Sequence, residues 1–309
     1  MKPNRIKSKK ELHQIIAKGN AKVNLVLDVR SRRPDGYHEI ATVMQSLTLG
    51  DRITYVQTQD PGVTVIATKP EIVTDETNLS RRAAEAFLAE TGRPGGLRIK
   101  IDSRMPIQAG LGAASADCAA TLLALNKLYG APLSHEQLME IGARLGADVP
   151  FCLTGGTQLA EGIGDRLTPL PRIPESVFLI VKPPVGCNTA EQYGKLDDTT
   201  QWDHPDVESA VDALKDGDLD ALADAMGNVF EQVVDVPDVE RCKILLSEAS
   251  ALGTCMTGSG SAVIGLFEDD PTARRAMAFL RSAAPDFYTV LTVPTRRGVE
   301  IGPIMNVVY

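Results

Sequence analysis

Between residues 21 and 29 the chain sets polar and apolar positions in alternation. Lys22 and Asn24 stand two residues apart, with Val23, Leu25 and Leu27 around them. A period of two is that of a strand, so the lysine and the amide share one face and the apolar side chains bury the other. The pattern predicts further strands over 40–47, 52–57 and 63–68, the last two with fair alternation. A helix is predicted over 79–90, stopping before Gly92 and Pro94, and a strand over 97–101. A Gly/Ala/Ser loop then leads into a helix over 117–128, with Leu122, Leu125 and Leu128 on one stripe. Ser134-His135-Glu136-Gln137 fits a capping box for a helix that ends at Gly146. Short strands are predicted over 151–153 and 157–160, around Gly155-Gly156.

Pro169, Pro171 and Pro174 punctuate the chain and predict a domain boundary near residue 170. Beyond it the pattern predicts strands over 177–182, 254–256, 262–267 and 288–293, and helices over 206–214, 219–228, 239–249 and 272–284. Strands and helices mix in both halves without a regular βαβ alternation, so the fold class is α+β. Residues 1–16 are expected to form a basic N-terminal arm, 17–170 one domain and 171–309 a second.

Composition narrows the class of function. Of 309 residues, 43% are hydrophobic and 23% charged, the balance of a globular protein. A net charge of -8 argues against general nucleic-acid binding, so an anionic ligand would need a few placed cations and backbone N–H groups. No run approaches the roughly 18 apolar residues of a membrane helix, and the first ten residues lack the apolar stretch of a secretory signal. The five cysteines are scattered among apolar neighbours, which fits a reducing, cytoplasmic setting rather than a disulfide framework. The four histidines are dispersed, and no His or Cys pair has metal-ligand spacing.

Three segments carry candidate chemistry. Residues 106–117, Pro-Ile-Gln-Ala-Gly-Leu-Gly-Ala-Ala-Ser-Ala-Asp, run from a strand into a helix. Small residues admit a ligand to the backbone, and a helix start offers free N–H groups to phosphate. The same residues also suit close packing, and the spacing matches neither a Walker A loop nor a dinucleotide fingerprint. Asp148 lies in Gly-Ala-Asp-Val-Pro-Phe, in apolar company that would make its charge costly. Pairing with Lys22 would compensate that cost and leave a carboxylate beside an alcohol substrate; a solvent-facing turn is the other reading. Residues 256–261, Met-Thr-Gly-Ser-Gly-Ser, fit a second backbone nest or a plain glycine-rich hairpin. The turn over 30–36 reads as a solvated hairpin, and the Tyr37-His38 pair after it suits stacking on a flat ring and bonding its edge. Lys182 and Thr189, around Pro183-Pro184, form a weaker set.

In this order, the Lys-x-Asn strand, the small-residue loop, Gly-Ala-Asp-Val-Pro and the late Gly-Ser-Gly-Ser resemble the GHMP small-molecule kinases. Arg-Pro-Asp-Gly-Tyr-His at 33–38 and Asn-Thr-Ala-Glu-Gln-Tyr at 188–193 resemble the branch acting on cytidine diphosphate methylerythritol in the non-mevalonate isoprenoid pathway. The resemblance implies an N-terminal domain like ribosomal protein S5 domain 2 and a ferredoxin-like C-terminal domain. It implies transfer of the ATP γ-phosphate, with Mg²⁺, to the 2-hydroxyl of that substrate, in a cytoplasmic monomer or weak homodimer. It implies Asp148 as base with Lys22 as partner, and Asn24, Tyr37, His38 and Thr189 on the substrate side. Asn78, Pro106, Gly110, Gly112, Ala113, Ala114 and Ser115 fall on the ATP side. Two departures stand out. The family usually carries Gly-Gly-Ser-Ser where this chain has Ala113-Ala114-Ser115-Ala116, and Ser103 stands where a lysine is common. Two methyl groups enter where backbone should approach phosphate, one hydroxyl is lost, and alanine takes positive φ at a cost, so the departure is expected to weaken the hold on ATP. That departure keeps open a kinase with another donor or acceptor, or a non-catalytic paralogue that binds a cytidine nucleotide.

Overall fold

The computed structural model describes residues 12–93, 95–199 and 201–307. The first part of the chain forms β1 (His13–Arg32), β2 (His38–Thr58), β3 (Gly62–Ala67), α1 (Leu79–Glu90), β4 (Gly96–Asp102), α2 (Ala113–Leu128), α3 (His135–Leu145), α4 (Val149–Thr154), β5 (Thr157–Gly162) and β6 (Arg166–Pro169). The rest forms β7 (Val177–Lys182), α5 (Thr189–Asp197), α6 (Val207–Asp216), α7 (Leu219–Asp224), β8 (Gly227–Asn228), a 3-10 turn (Val229–Gln232), α8 (Pro237–Glu248), β9 (Gly253–Met256), β10 (Val263–Phe267), α9 (Asp270–Ala283), β11 (Tyr288–Thr292) and β12 (Val299–Asn306).

β1 and β2 pair antiparallel along almost their whole length and carry the larger sheet, in the order β12-β1-β2-β4-β3. Helices α1 and α2 lie together, with α2 packed on β1 and β2. The apolar face predicted for β1 is there for Val23 and Leu25, which are buried in the main core. Leu27 departs from it: a bulge between Asn24 and Val26 shifts the alternation, and Leu27 lines the cleft on the side of Asn24. Close approach of α2 depends on Gly19, where a Cβ would meet the Ala116 carbonyl oxygen at 2.6 Å. The smaller sheet has the order β11-β7-β10-β9, all antiparallel, with α8 and α9 against it. In its own sequence order that is 4-1-3-2 with two βαβ crossovers, the split pattern of a ferredoxin-like unit. The α+β class and both implied domain folds are those of the structure.

Several elements differ from the sequence-based expectation. Residues 151–153 are helix, not strand: Pro150 stands in the first turn of α4, Gly155 ends it, and its apolar run is buried. A short, wholly apolar run carries no period to tell the two apart. α2 starts at Ala113, four residues before the predicted start at Asp117. The helix predicted over 219–228 stops at Asp224, and Gly227–Asn228 pair with β1 as a short parallel strand. Residues 1–11 of the expected arm lie outside the described residues, but His13–Ile16 belong to β1, paired with β2 and β12. β8 and β12 also return to the first sheet, where both pair with β1. Strand pairing across hundreds of residues decides this, and a local pattern does not register it.

Candidate active site

Both sheets contribute to one cleft of about 1140 Å³. On its floor Lys22 and Asn24 share the polar face of β1, as their spacing requires. The Lys22 ammonium donates to Asn24 Oδ1 at 2.9 Å and lies 3.4 Å from Asp148 Oδ2. The lysine is buried, whereas 35% of the Asp148 side chain is exposed to the cleft. Asp148 immediately precedes α4 and makes no capping bond there, so its carboxylate is left to the lysine and to whatever enters the cleft. The solvent-facing alternative for this residue is thereby replaced by an ion pair with one open side.

Asn24 is mainly an internal link. Its Oδ1 also accepts the Gly258 N–H at 3.0 Å, and its Nδ2 donates to Thr42 Oγ1 at 2.8 Å. Its backbone N–H donates to Thr257 Oγ1 at 2.9 Å. One amide hydrogen remains for a ligand. The 256–261 segment is the β9–β10 turn, and Gly258, Ser259 and Gly260 line the cleft. The N–H groups of Gly258, Gly260 and Ser261 bond Asn24 Oδ1 and the carbonyls of Thr257 and Gln108, so the segment is a hairpin with these amides spent within the protein. Asn228 fixes it by donating to the carbonyls of Met256 and Gly258 at 2.7 and 2.8 Å.

This turn presses against the loop before α2. A Cβ on Gly110 would sit 2.0 Å from the Thr257 carbonyl oxygen. Gly112, at φ +68°, caps α2 without a side chain. The first helical bond is Ala116 N–H to Gly112 at 2.9 Å, so the N–H groups of Ala113, Ala114 and Ser115 precede the hydrogen-bond ladder, and these residues line the cleft, an arrangement that can seat an anion. Ala113 and Ala114 lie inside the helix and neither has positive φ. The positive-φ cost expected at these two positions is therefore absent, because the left-handed residue is Gly112 and not the alanines.

Behind the seat, Asn78 caps α1: its Oδ1 accepts the Arg81 N–H at 3.1 Å and its Nδ2 donates to Val73 at 2.8 Å. With both ends of its amide occupied, it shapes the cleft wall beside Pro106. Ser103 donates to Asp51 Oδ2 at 3.1 Å, and the N–H groups of Arg104 and Met105 donate to Asp51 Oδ1 at 2.6 and 2.8 Å. Asp117 is buried with Oδ1 unpartnered; burial, then the charge of Asp51, pushes its carboxyl well above the usual range. Burial also raises Asp51, against the pull of its N–H donors.

On the other side of the cleft, the Tyr37 ring is 60% exposed, while His38 is held. His38 stacks on Tyr193, with ring centres 4.5 Å apart and planes at 28°, and its Nε2 lies 2.7 Å from Asp197 Oδ1. Phe230 backs Tyr193 edge-on at 4.8 Å, and burial pushes the Tyr193 hydroxyl up to about 12. Thr189 bonds Ser259 at 2.8 Å, oxygen to oxygen, joining α5 to the β9–β10 turn. Thr189, Tyr193 and Asp197 recur every four residues on α5 and all line the cleft. That spacing puts them on one helix face and was a readable signal for Tyr193 and Asp197, which sequence reasoning passed over as site residues. Lys182 does not join the cleft. Its ammonium donates to the Pro183 carbonyl at 2.8 Å, and burial lowers its pKa. The arginine turn is a wet face, as expected, with Arg33 paired to Asp35 and Glu39.

Comparison with known proteins adds to this geometry. Residues 78–156 match the GHMP kinases N terminal domain and residues 210–286 the GHMP kinases C terminal domain. A 4-diphosphocytidyl-2-C-methyl-D-erythritol kinase of Lachnoclostridium phytofermentans is 41% identical over 85% of this chain and 91% of its own length. The enzyme of that name from Carboxydothermus hydrogenoformans is 40% identical over 90% and 93%. The crystal structure of a 4-(cytidine 5'-diphospho)-2C-methyl-D-erythritol kinase superposes with a TM-score of 0.74 at 34% identity, covering 91% of this chain and 99% of that one. A homoserine kinase from Cytophaga hutchinsonii shares the fold, with a TM-score of 0.76 at 21% identity, over 97% of this chain and 100% of its own.

Proposed function

The chain belongs to the GHMP kinases, and within them to the 4-diphosphocytidyl-2-C-methyl-D-erythritol kinase family, and from that premise we propose how its own residues transfer phosphate. The reaction moves the γ-phosphate of ATP to the 2-hydroxyl of 4-diphosphocytidyl-2-C-methyl-D-erythritol, a step of non-mevalonate isoprenoid synthesis. The observation that carries the residue assignment is the Lys22–Asp148 pair at 3.4 Å, between an anion seat and an aromatic wall.

In this reading ATP lies with its phosphates against the N–H groups of Ala113, Ala114 and Ser115. Gly110, Gly112 and Pro106 shape the loop, and Asn78 shapes the wall. The cytidine base lies against Tyr37 and His38, with the diphosphate and the methylerythritol chain reaching toward Asn24 and Thr189. Asp148 accepts the hydroxyl proton as that oxygen bonds to the γ-phosphorus. The bond from phosphorus to the β-phosphate oxygen breaks, and ADP leaves with the electron pair. Lys22 steadies the carboxylate and the charge on the moving phosphoryl group. Phosphoryl transfer asks mainly for such positioning and charge compensation.

Mg²⁺ would neutralise the ATP phosphates. Among the described residues no group of three or more His, Cys, Asp or Glu side chains is built to hold an ion alone. A hydrated Mg²⁺ carried on substrate phosphates suits that donor set, with the Ser115 hydroxyl and the Asp148 carboxylate as oxygen donors at hand. No helix among the described residues is long and apolar enough to cross a membrane, and the five cysteines are unpaired and buried. Buried free thiols suit a reducing compartment such as the cytoplasm, and the reading takes the enzyme as a monomer or a weak homodimer.

The test is ADP release with Mg-ATP and the cytidine substrate, with the phosphorylated product identified by mass. Asp148→Asn should fold normally and lose about 10²- to 10⁴-fold in kcat. Near-normal turnover in that variant would remove Asp148 from the role of base.

A further inference from the structure

We infer that Asp197 is a positioning residue for base recognition: it holds His38 as the Nε2–H tautomer, so that Nδ1 offers a lone pair to the exocyclic amino group of a cytosine. This rests on the reading that the cleft takes a cytidine nucleotide. The two side chains come from opposite halves of the chain, His38 at the start of β2 and Asp197 at the end of α5.

A carboxylate only accepts hydrogen bonds, so the contact of 2.7 Å between His38 Nε2 and Asp197 Oδ1 places the ring proton on Nε2. The second oxygen of Asp197 lies 3.4 Å from Arg32 Nη1, which anchors the carboxylate from β1. Tyr193 covers a face of the imidazole, and Phe230 stops Tyr193 from sliding. The ring is therefore fixed at one edge and on one face. Among the described residues no protein group bonds Nδ1. His38 lines the cleft, and a neutral imidazole with hydrogen on Nε2 presents an acceptor at Nδ1. Cytosine brings an amino donor to such an acceptor; uracil brings a carbonyl oxygen at the same ring position. Two acceptors facing each other in a partly closed site leave both unpaired, which is how a polar pocket turns away a near-isostere.

The experiment titrates the whole protein with CDP and with UDP by calorimetry, and reads the ¹⁵N shifts of the His38 ring. The wild type is expected to show the Nε2–H tautomer and to bind CDP at least about thirtyfold tighter than UDP. Asp197→Asn keeps an oxygen that accepts the same N–H and should keep both properties. Asp197→Ala should mix the tautomers, narrow the CDP preference to roughly fivefold or less, and raise KM for the cytidine substrate far more than it lowers kcat. An Nδ1–H tautomer in the wild type, or an undiminished CDP preference in Asp197→Ala, would overturn the role of Asp197 alone. A wild type that binds neither nucleotide would overturn the cytidine reading and this inference with it.

Discussion

A methyl group built on Gly112 would lie 2.8 Å from Lys22 Cγ and 3.2 Å from its Cε. The glycine that starts the anion seat is thus also the surface along which the lysine stem reaches Asp148. Its φ of +68° adds a second demand, since a side chain there costs roughly 1–2 kcal/mol. Gly112→Ala is expected to lower thermal stability by that order and kcat/KM by more than tenfold, because the ammonium is pushed off its partners. Steady-state kinetics beside a melting curve checks this; a variant with full activity would show that the lysine has room to spare.

Asn24 ties three elements together through one amide, holding Lys22, Thr42 and Gly258. Asn24→Ala leaves buried partners without bonds, which costs about 1–3 kcal/mol. Denaturant unfolding should report that loss, and kcat should fall with it as the Lys22 head loses its anchor. Normal stability with raised KM alone would make Asn24 a substrate contact and little else.

Restoring the family loop is expected to gain nothing at the first two positions. Ala113 and Ala114 are the opening residues of α2, where glycine is worse than alanine by roughly 0.5–1 kcal/mol each. Ala113→Gly with Ala114→Gly should lower stability and leave KM for ATP within about threefold of the wild type. A marked fall in that KM would mean that the methyl groups do obstruct phosphate.

Asp117 sets a pH dependence. The unfolded chain releases this proton near pH 4, about the ordinary carboxyl value. The folded protein keeps it to higher pH, because burial raises the group. Its contribution is therefore complete below about pH 4 and is lost as pH rises through the folded value. Asp117→Asn should be more stable than the wild type at pH 8, by about 1–3 kcal/mol, and the gap should shrink toward pH 5. Urea midpoints across that range give the comparison; a gap that does not grow with pH would count against the buried proton.

What the chain declares locally, it declares well. The Lys22–Asn24 face follows from a period of two, and the Ser134–Gln137 capping box forms as its spacing predicts. The Tyr37-His38 pair meets the cleft, as its position after a tight turn suggested. These features depend on residues within a few positions of each other, where side-chain direction and backbone preference act directly. Other features have no local trace. The 151–153 run is wholly apolar, so it carries no period to tell helix from strand, and the fold decides between them. β12 joins the first sheet beside β1 from the far end of the chain. Lys22 meets Asp148, His38 meets Asp197, and Gly110 lies against Thr257 only because the sheets bury their apolar faces together. The sequence by itself determined which groups were available and which way they would point. Only the tertiary structure decided which of them touch, because burial and strand pairing are settled over the whole chain at once.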